Sequence, residues 1–486
     1  MDAVAGARPL NVRRTRSVVR RTVPTGLLTP WRAFLALDDG GPAALLDSAR
    51  PHPRIGRYSI VAVRPTAVWC ARGDRCELRD GKGLRRYRAE PLAELRRLLA
   101  ARAVSSRREQ SFPGEAADLP FVGGAIGVVS YEARHAFERL PQRAADDLGL
   151  PHWYMLFFDD ALVFDHVAGT TTAVAAADAP TDRPAAERRA ADLLRRMRGA
   201  PSVVSGPFRA TGPVRSSFTR EAFTNAVRRT LDYIAAGDVY QANLSQRLDV
   251  EARGDPRTLY AALRQINPSP FAAFLRGDGF ALVGSSPERL VALRDRHAET
   301  RPIAGTRPRG ADAAEDDRLR AELILSPKER AEHIMLVDLE RNDLGRVCRF
   351  GTVHVDELMV LERYSHVNHI VSNVVGELAP GKDGLDLLAA MFPGGTITGC
   401  PKIRCMEIID ELEPVARHAY TGSITYLSDA GDMDMNIVIR TFILTRGRAY
   451  MPVGAGIVAD SDPEREFDET LDKAEALLRA LTLASS

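Results

Sequence analysis

The chain has 486 residues, enough for two or more domains or for one large interlocked domain. Hydrophobic residues make up 45% of it, and 66 basic against 64 acidic residues leave a net charge of +2. This near balance argues against nucleic acid as the main partner, because nucleic-acid-binding domains usually carry a basic excess. No run of about 18 apolar residues is present, so no membrane span is expected. The five cysteines show no disulfide-dense pattern, which favours a reduced, cytoplasmic setting.

The amino-terminal third of the chain favours short strands, such as Tyr58–Val63 and Ala67–Cys70, interrupted by helical segments such as Pro91–Ala103. The basic segment Asn11–Arg21 is not preceded by an apolar run of signal-peptide length. We therefore interpret it as an arginine-flanked edge strand and keep a targeting arm as the alternative.

A stretch rich in Pro, Gly and Ser, Gly199–Ser217, is typical of a linker. We place a domain boundary there, between residues 1–205 and residues 206–486. The second segment opens with an amphipathic helix, Arg220–Ala236, for which Thr219 is the expected N-cap.

The next segment, Val239–Val250, is predicted to be a strand with polar side chains at alternate positions. These side chains share one face and are Gln241, Asn243, Ser245 and Arg247. Polar groups on a strand inside an apolar domain suggest a lined cavity, and a solvent-facing edge strand fits the same pattern.

A helix with acidic residues is predicted further along the chain. It begins at the capping sequence Ser326–Glu329 and runs through Val337, so that Glu329 and Glu332 point the same way. Helix capping alone explains Glu329, but it does not explain Glu332.

The last helix is expected to begin near Ser461. Its predicted buried stripe consists of Phe467, Leu471, Ala474 and Leu478. Another face carries Glu466, Glu469 and Lys473, and the simplest interpretation of that face is a solvated surface with a Glu469–Lys473 ion pair.

Carboxylates from these two helices, if they met across a cavity, would suit Mg²⁺, which takes oxygen ligands, keeps several waters and leaves room for substrate anions. An anionic substrate would also need cations and backbone donors. Arg440, predicted on a strand, and a predicted turn at Gly454–Gly456 offer these, because glycine lets backbone amides approach an anion closely.

Several segments together resemble the chorismate-binding enzymes, a family that includes anthranilate synthase component I, aminodeoxychorismate synthase component I, and isochorismate and salicylate synthases. The segments are DVYQANLSQR (238–247), GSSPERL (284–290), RPIAGTRPRG (301–310), KERAEHIMLVDLERNDLGRV (328–347), YSHVNHIVS (364–372), FPGGTITGCPKIRCMEIIDELEP (392–414), GAGIVADS (454–461) and FDETLDK (467–473). The amino-terminal part resembles the family more loosely. The resemblance implies an α+β fold, a sandwich of large, mostly antiparallel sheets with helices on the outside. It also implies an amino-terminal component I-like domain and a chorismate-binding catalytic domain.

The resemblance further implies a magnesium site. Glu332 and Glu469 match the family's magnesium-binding carboxylates, with Glu329 close by. The metal would hold the ring carboxylate of chorismate and help the C4 hydroxyl to leave. Glu288 matches the general acid that protonates this hydroxyl, a role that needs a carboxyl group kept neutral by its surroundings.

The other site residues are implied in the same way. His369 and Thr396 match residues beside the ring and the leaving group. Tyr420 and Arg440 match the pair that holds the enolpyruvyl carboxylate, where arginine can bind through two nitrogens. The remaining substrate-binding positions are Gly305, Gly454, Ala455, Gly456 and Lys473.

The residue at position 241 bears on the nucleophile. Family members that add water resemble this segment but carry Lys there as a base, whereas Gln241 is a neutral amide and cannot take a proton from water. The sequence therefore argues against isochorismate and salicylate products and favours ammonia. Because the synthase resemblance accounts for the length of the chain, a separate glutamine amidotransferase (glutaminase) subunit is implied as the ammonia source.

Two amination products stay open. Attack at C2 with loss of pyruvate gives anthranilate, and net replacement at C4 gives 4-amino-4-deoxychorismate, the precursor of p-aminobenzoate and folate. Many C4 enzymes carry Lys where this chain has Ala304, which matches the anthranilate type. In contrast, LLDS (45–48) and NPSPFA (267–272) differ from the LLES and NPSPYM typical of the tryptophan feedback site of anthranilate synthases. They are closer to aminodeoxychorismate synthases, a subset of which also has alanine, and we favour the C4 product.

A third hypothesis is a non-catalytic scaffold that only binds and steers the glutaminase subunit. Such a protein would be expected to have lost site residues. Every position matched above is retained, so the sequence argues against this hypothesis.

Overall fold

The computed structural model describes residues 16–50, 55–104, 119–199, 206–363 and 367–486. The strands of the first half are β1 Ser17–Pro24, β2 Ala43–Asp47, β3 Tyr58–Val63, β4 Ala67–Arg72, β5 Arg75–Asp80, β6 Gly83–Arg88, β7 Gly124–Val129, β8 Trp153–Phe158, β9 Asp160–Asp165, β10 Thr170–Ala177, β11 Phe208–Ser216 and β12 Gln241–Gly254. Those of the second half are β13 Phe271–Arg276, β14 Phe280–Ser286, β15 Arg289–Arg294, β16 His297–Thr300, β17 Ile303–Pro308, β18 His354–Arg363, β19 Val367–Glu377, β20 Gly399–Cys400, β21 Ser423–Ser428, β22 Met433–Asn436, β23 Thr441–Thr445 and β24 Arg448–Ile457.

Helices cover the strands from outside. They are α1 Pro30–Leu37, α2 Pro91–Ala100, α3 Arg183–Met197, α4 Arg220–Ala235, α5 Pro256–Ile266, α6 Ala313–Leu325, α7 Pro327–Gly345, α8 Gly384–Met391, α9 Lys402–Leu412 and α10 Pro463–Ser485. Within the described ranges, none of these helices has both the length and the apolar composition needed to cross a bilayer.

The strands form two antiparallel sheets of twelve strands each. The first runs β1-β10-β9-β3-β2-β13-β14-β23-β24-β12-β11, with β20 beside β12. The second runs β17-β19-β16-β15-β22-β21-β7-β8-β4-β5-β6, with β18 beside β19. Each sheet therefore consists of one block of strands from β1–β10 and one block from β11–β24, and the pairs β2–β13 and β7–β21 join the two blocks.

The two sheets pack against each other because successive residues of a strand point to opposite faces. In β2, Ala44 joins the core between the sheets, whereas Leu45 joins an outer core with residues of α1, α3, α5 and α10. In β4, Val68 joins the inner core and Trp69 an outer core with residues of α2, α7 and α8. The fold is therefore the α+β sandwich with outer helices that the resemblance implied.

The structure describes only part of the predicted linker. Its residues 200–205 lie outside the described ranges, and Phe208–Ser216 is strand β11, which pairs with β12. The linker interpretation of this second part is wrong, because backbone hydrogen bonding to β12 outweighs the local Gly and Pro content. The boundary between residues 1–205 and 206–486 stays a prediction, and both segments contribute strands to both sheets.

The basic segment near the amino terminus behaves as predicted where it is described. Ser17–Pro24 pairs only with β10, at the end of the first sheet, and is an edge strand. Residues 11–15 lie outside the described part of the chain.

The predicted helices form with their caps. The Thr219 hydroxyl accepts a hydrogen bond from the backbone amide of Ala222, and the Ser326 hydroxyl accepts one from the backbone amide of Glu329. Helix α7 continues past the predicted end at Val337 to Gly345. In α10 the predicted stripe is partly wrong, since Leu471 is 36% exposed. The buried face of α10 consists of Phe467, Thr470, Ala474, Leu477, Ala480, Leu481 and Ala484.

Phe274 tests the junction between the two chain segments. It is fully buried on β13, with its ring 5.3 Å from that of Phe34 and 5.9 Å from that of Tyr260. We expect Phe274→Ala to lower the free energy of unfolding by about 3–5 kcal/mol, because it leaves a cavity that rigid neighbours cannot fill. Urea unfolding measures this change. Leu84→Ala, at a position 53% exposed, is the control and should stay within about 0.5 kcal/mol of the parent.

Candidate active site

Carboxylates of α7 and α10 lie close enough to influence one another electrostatically. Burial raises the pKa of Glu332, and the negative charges of Glu329, Glu466 and Glu469 raise it further. Burial likewise raises the pKa of Glu466, with Glu469 adding to the effect. Since like charges influence a pKa only at short range, the acids of the two helices share one electrostatic environment.

The surroundings of these acids fit a divalent cation. The Oε2 atom of Glu466 is buried without a hydrogen-bond partner among the described residues. No cluster of three acidic, His or Cys side chains in the described ranges is arranged to hold a cation by itself. Mg²⁺ does not need such a cluster, because it commonly binds one or two carboxylates and completes its shell with water and substrate oxygens.

The other acids nearby are engaged with cations. Glu469 lies 2.6 Å from the ammonium of Lys473 and is half exposed, so the ion pair of the simpler interpretation does form. Glu329 pairs with Arg307 at 2.9 Å. A cation bound by Glu332 would therefore compete with Lys473 for Glu469.

Glu288 lies in the turn between β14 and β15 and is 6% exposed. Burial raises the pKa of Glu288 to about 7, although Thr396, the backbone amide of Ile303 and the charge of Arg440 act in the opposite direction. The Oε1 atom of Glu288 has no hydrogen-bond partner among the described residues. A buried carboxyl group that is neutral near pH 7 can donate a proton.

His369 and Gly305 are neighbours on the paired strands β19 and β17. The His369 Nδ1 lies 3.4 Å from the carbonyl oxygen of Gly305, so Nδ1 carries the hydrogen. Burial lowers the pKa of His369 to about 4, which makes the imidazole neutral at physiological pH. Gly305 has a φ of +76°, and a Cβ there would lie 3.0 Å from the Oε2 of Glu329, so only glycine fits without strain.

The prediction that Arg440 lies on a strand is wrong. Arg440 lies in the connection before β23 and has a φ of +51°. Its guanidinium has no hydrogen-bond or ion-pair partner among the described residues, although Tyr420, Glu288 and Glu469 act on it electrostatically. Burial lowers the pKa of Arg440 and raises that of Tyr420 to about 12. A desolvated guanidinium without a counter-ion is a strong anion-binding group.

The predicted turn at Gly454–Gly456 is wrong, because these residues belong to strand β24 and pair with β12. The close approach expected of glycine is nonetheless present. A Cβ at Gly454 would lie 2.7 Å from both the Tyr420 hydroxyl and the carbonyl oxygen of Leu244. The Gly454 carbonyl also accepts the ammonium of Lys473 at 2.9 Å. Tyr420, Lys473 and this strand therefore form one wall.

The polar face of β12 is buried, which rules out the solvent-facing alternative. Ser245 is bound by Glu413, and Arg247 by Asp147. In contrast, Gln241 Oε1 and Asn243 Oδ1 are buried without hydrogen-bond partners within the described ranges. The Gln241 amide nitrogen approaches Gly456, since a Cβ on that glycine would lie 2.6 Å from it.

Two features of the site were missed in the sequence. Glu466 joins the acidic group, and its three-residue spacing from Glu469 was a usable signal. Arg417 was not singled out, because its role depends on distant segments. Its guanidinium donates to Glu413, to the carbonyl oxygen of Asn243 at 2.6 Å and to that of Ile397 at 2.9 Å. It thus ties β12 to the turn that carries Thr396.

A cavity with a volume of about 600 Å³ lies elsewhere. It is lined by residues of the LLDS and NPSPFA segments, among them Asp47, Ser48, Pro270, Phe271 and Ala272. Asp47 accepts hydrogen bonds from Tyr260 at 3.0 Å and Arg264 at 2.7 Å.

Comparison with known proteins agrees with this geometry. A family model described as chorismate binding enzyme matches residues 42–479. Anthranilate synthase component 1 of Thermus thermophilus is 44% identical over 476 residues, covering 96% of this chain and 98% of that protein. Aminodeoxychorismate synthase component 1 of Bacillus subtilis is 43% identical over 443 residues, covering 90% and 92%. The crystal structure of anthranilate synthase component I from Streptococcus pneumoniae gives a TM-score of 0.75 at 33% identity, covering 88% of this chain and 92% of that one. The chain therefore belongs to the family of chorismate-binding enzymes.

Proposed function

We propose that this chain is the synthase subunit that converts chorismate to 4-amino-4-deoxychorismate, using Mg²⁺ and ammonia from a separate glutamine amidotransferase subunit. The observation that carries the proposal is the desolvated guanidinium of Arg440 beside the neutral acid Glu288, with the acids of α7 and α10 nearby. Chorismate offers two carboxylates and a hydroxyl leaving group, which are the groups that this combination would bind and protonate.

The metal is assigned to Glu332 and Glu469, with Glu329 and Glu466 beside them. When bound, Mg²⁺ would supply positive charge for the ring carboxylate and for the departing oxygen. The pKa values of Glu332 and Glu466, raised by burial and further by neighbouring acids, support this assignment, because a bound cation would offset both effects. A cation bound by Glu469 would displace the ammonium of Lys473 from its ion pair and leave it free to approach substrate.

The chain's own residues divide the remaining work. Arg440 and Tyr420 hold the enolpyruvyl carboxylate, and the backbone at Gly454–Gly456 with Lys473 closes the opposite wall. Glu288 gives its proton to the C4 hydroxyl, which leaves as water. His369 and Thr396 stand beside the ring, and Gly305 keeps the backbone close to them.

Gln241 supports ammonia as the nucleophile. Its amide is neutral and cannot act as the base that water would need. Neutral ammonia is a better nucleophile than neutral water and requires no such base. The free thiols of the described cysteines accord with the proposed cytoplasmic setting.

The second candidate is anthranilate synthesis, in which ammonia attacks C2 and pyruvate leaves. Ala304 favours it, since many C4 enzymes carry a lysine there, and the Thermus relative carries this name. The LLDS and NPSPFA segments favour the C4 product, and the Bacillus relative carries that name. We propose the C4 product on the strength of these segments.

Product identification separates the candidates. The purified chain is mixed with chorismate, Mg²⁺ and an ammonium salt, and products are resolved by chromatography with mass detection and fluorescence. We expect a non-fluorescent product that retains the enolpyruvyl group. Fluorescent anthranilate as the sole product would establish the second candidate, and unconsumed chorismate would contradict both.

Glu288 predicts a pH dependence. A general acid works only while protonated, so kcat/KM for chorismate should fall as the pH rises through the pKa of Glu288, about 7. Glu288→Gln should lose about 100-fold or more in kcat, because an amide cannot protonate the hydroxyl. Glu377→Gln, which replaces a carboxylate on the surface end of β19, is the control and should keep the parent profile.

Glu332 predicts a metal dependence. Manganese binding, followed by the loss of the free-ion paramagnetic resonance signal, should weaken at least about tenfold in Glu332→Gln, because one charged ligand is removed. The matched control is Glu464→Gln on α10, whose carboxylate pairs with Arg220 away from the acidic group. Equal affinity in the two variants would remove Glu332 from the site. Retained folding with lost amination in Glu332→Gln would also dismiss the scaffold hypothesis.

A further inference from the structure

A second set of buried ionisable groups lies behind Glu288, in the carboxyl-terminal half of α7. Glu340 and Asp343 are 3% and 6% exposed. The ammonium of Lys402 on α9 lies 2.5 Å from the Oδ2 of Asp343 and 3.1 Å from the carbonyl oxygen of Met391. The Oε2 of Glu340 lies 3.1 Å from the hydroxyl of Thr300. Neither the metal assignment nor the substrate-binding wall uses these residues.

The hydrogen bonds around Thr300 indicate which of the two acids carries a proton. The Thr300 hydroxyl has one hydrogen, and it lies 2.7 Å from the carbonyl oxygen of Leu290, which can only accept. The hydrogen in the Thr300–Glu340 contact must then come from Glu340. Asp343, in contrast, has the ammonium of Lys402 as a counter-ion. The cluster therefore consists of a neutral Glu340, an anionic Asp343 and a cationic Lys402.

Position links this cluster to Glu288. The Oε1 of Glu340 would lie 3.7 Å from a Cβ on Gly395, and the next residue, Thr396, acts on the carboxyl group of Glu288. The two acids thus stand on either side of the Gly395–Thr396 turn. The charge of Glu288 also raises the pKa of Glu340, which shows that the two groups sense each other.

We propose that Glu340 is held as a neutral carboxylic acid behind the Gly395–Thr396 turn and returns a proton to Glu288 after each turnover. The inference rests on the proposed role of Glu288 as the general acid. Glu340 touches no substrate and acts only through Glu288, so it is a positioning residue for the proton and not a catalytic residue.

The protons balance over one cycle. Glu288 loses a proton to the departing hydroxyl, which becomes water, and the attacking ammonia releases one proton once its nitrogen is bonded to the ring. Glu340 passes its proton through a bridging water to the Glu288 carboxylate and is left as a carboxylate. It then takes a proton from solvent by way of the Asp343–Lys402 end of the cluster, where Cys400 is partly exposed.

The groups that face Glu340 set its protonation. Burial, Asp343 on the same helix and Glu288 beyond the turn raise the pKa of Glu340, while the charge of Lys402 from α9 lowers it. Because the raising influences prevail, Glu340 is protonated at neutral pH and ionises above it. Loss of its proton would leave Glu288 without a donor.

The variant Glu340→Gln tests the proposal, because its amide can still donate to Thr300 but cannot release a proton. We expect kcat to fall about tenfold with KM for chorismate within about twofold, as proton return becomes limiting. In the parent, the ionisations of Glu288 and of Glu340 should both lower kcat as the pH rises. In Glu340→Gln the second of these ionisations should be absent from the pH profile of kcat. Thr300→Val is the matched control, since it removes the hydrogen bond but keeps the acid, and it should retain both ionisations.

A purely structural cluster would behave differently. Both variants would then lower the unfolding midpoint and leave the shape of the pH profile unchanged, which would overturn the proposal. Asp343→Asn tests the direction of a pKa shift. This variant leaves the Lys402 ammonium without its anion, which favours ionised Glu340 and should lower the pKa of Glu340. The alkaline fall in kcat should occur at lower pH in that variant, and an unchanged pH profile would contradict the proposal.

If Glu340→Gln does not fold, infrared titration tests the protonation of Glu340 instead. In Glu288→Gln, the carbonyl stretch of one protonated carboxyl group should persist at neutral pH and disappear above it. Asp429, whose pKa is raised to about 6 by burial, is separated because it ionises earlier. Absence of the later band would overturn the role of Glu340 without bearing on the reaction. Absence of amination by the parent chain would instead contradict the proposed function alone.

Discussion

The guanidinium of Arg440 is partly withdrawn from water and has no counter-ion among the described residues, while acids of α7 and α10 raise one another's pKa close by. Burying an unpaired charge costs several kcal/mol, and so does holding like charges together. The rest of the fold must over-determine these positions for them to persist. Binding of an anion to the first and a cation to the second relieves both costs. The site is therefore complementary to a pair of opposite charges that it does not itself contain.

Two interlocked sheets provide that rigidity. Because both chain segments contribute strands to each sheet, the turn with Glu288, the strand with Gly454 and the connection with Arg440 are fixed by pairings between residues distant in the chain. Arg417 adds a buried tie between β12 and the turn that carries Thr396. Removing such a tie would leave several carbonyl oxygens unpaired, which is costly in a dry interior.

Carboxyl groups take different protonation states in this structure. Glu288 and Glu340 are neutral because burial outweighs the cations near them, whereas Asp343 and Glu469 are charged because each has a lysine ammonium within 2.6 Å. Environment, not residue type, assigns the acids that give protons and those that hold cations. The same rule explains why His369 is neutral and unable to serve as a cation for the substrate.

The sequence alone determined the features that depend on neighbours within a few residues. Apolar spacing and capping residues predicted α4, α7 and the start of α10, and alternation along β12 placed its polar side chains on one face without deciding whether that face is buried. The helix predictions succeed because a helix cap and an apolar stripe depend on contacts that the chain makes with itself locally. The family resemblance implied the α+β sandwich, which the structure has, and the candidate site residues, which stay a prediction.

Tertiary structure alone decided the rest. Phe208–Ser216 is a strand because β12 offers it hydrogen bonds, and Leu471 is exposed because the helix turns a different face to the core. Gly454–Gly456 is a strand and Arg440 lies in a connection for the same reason. The protonation of Glu340 depends on Thr300 and Lys402, which are far from it in the chain. Such outcomes follow from desolvation and from partners brought together by folding, and neither is visible in the order of residues.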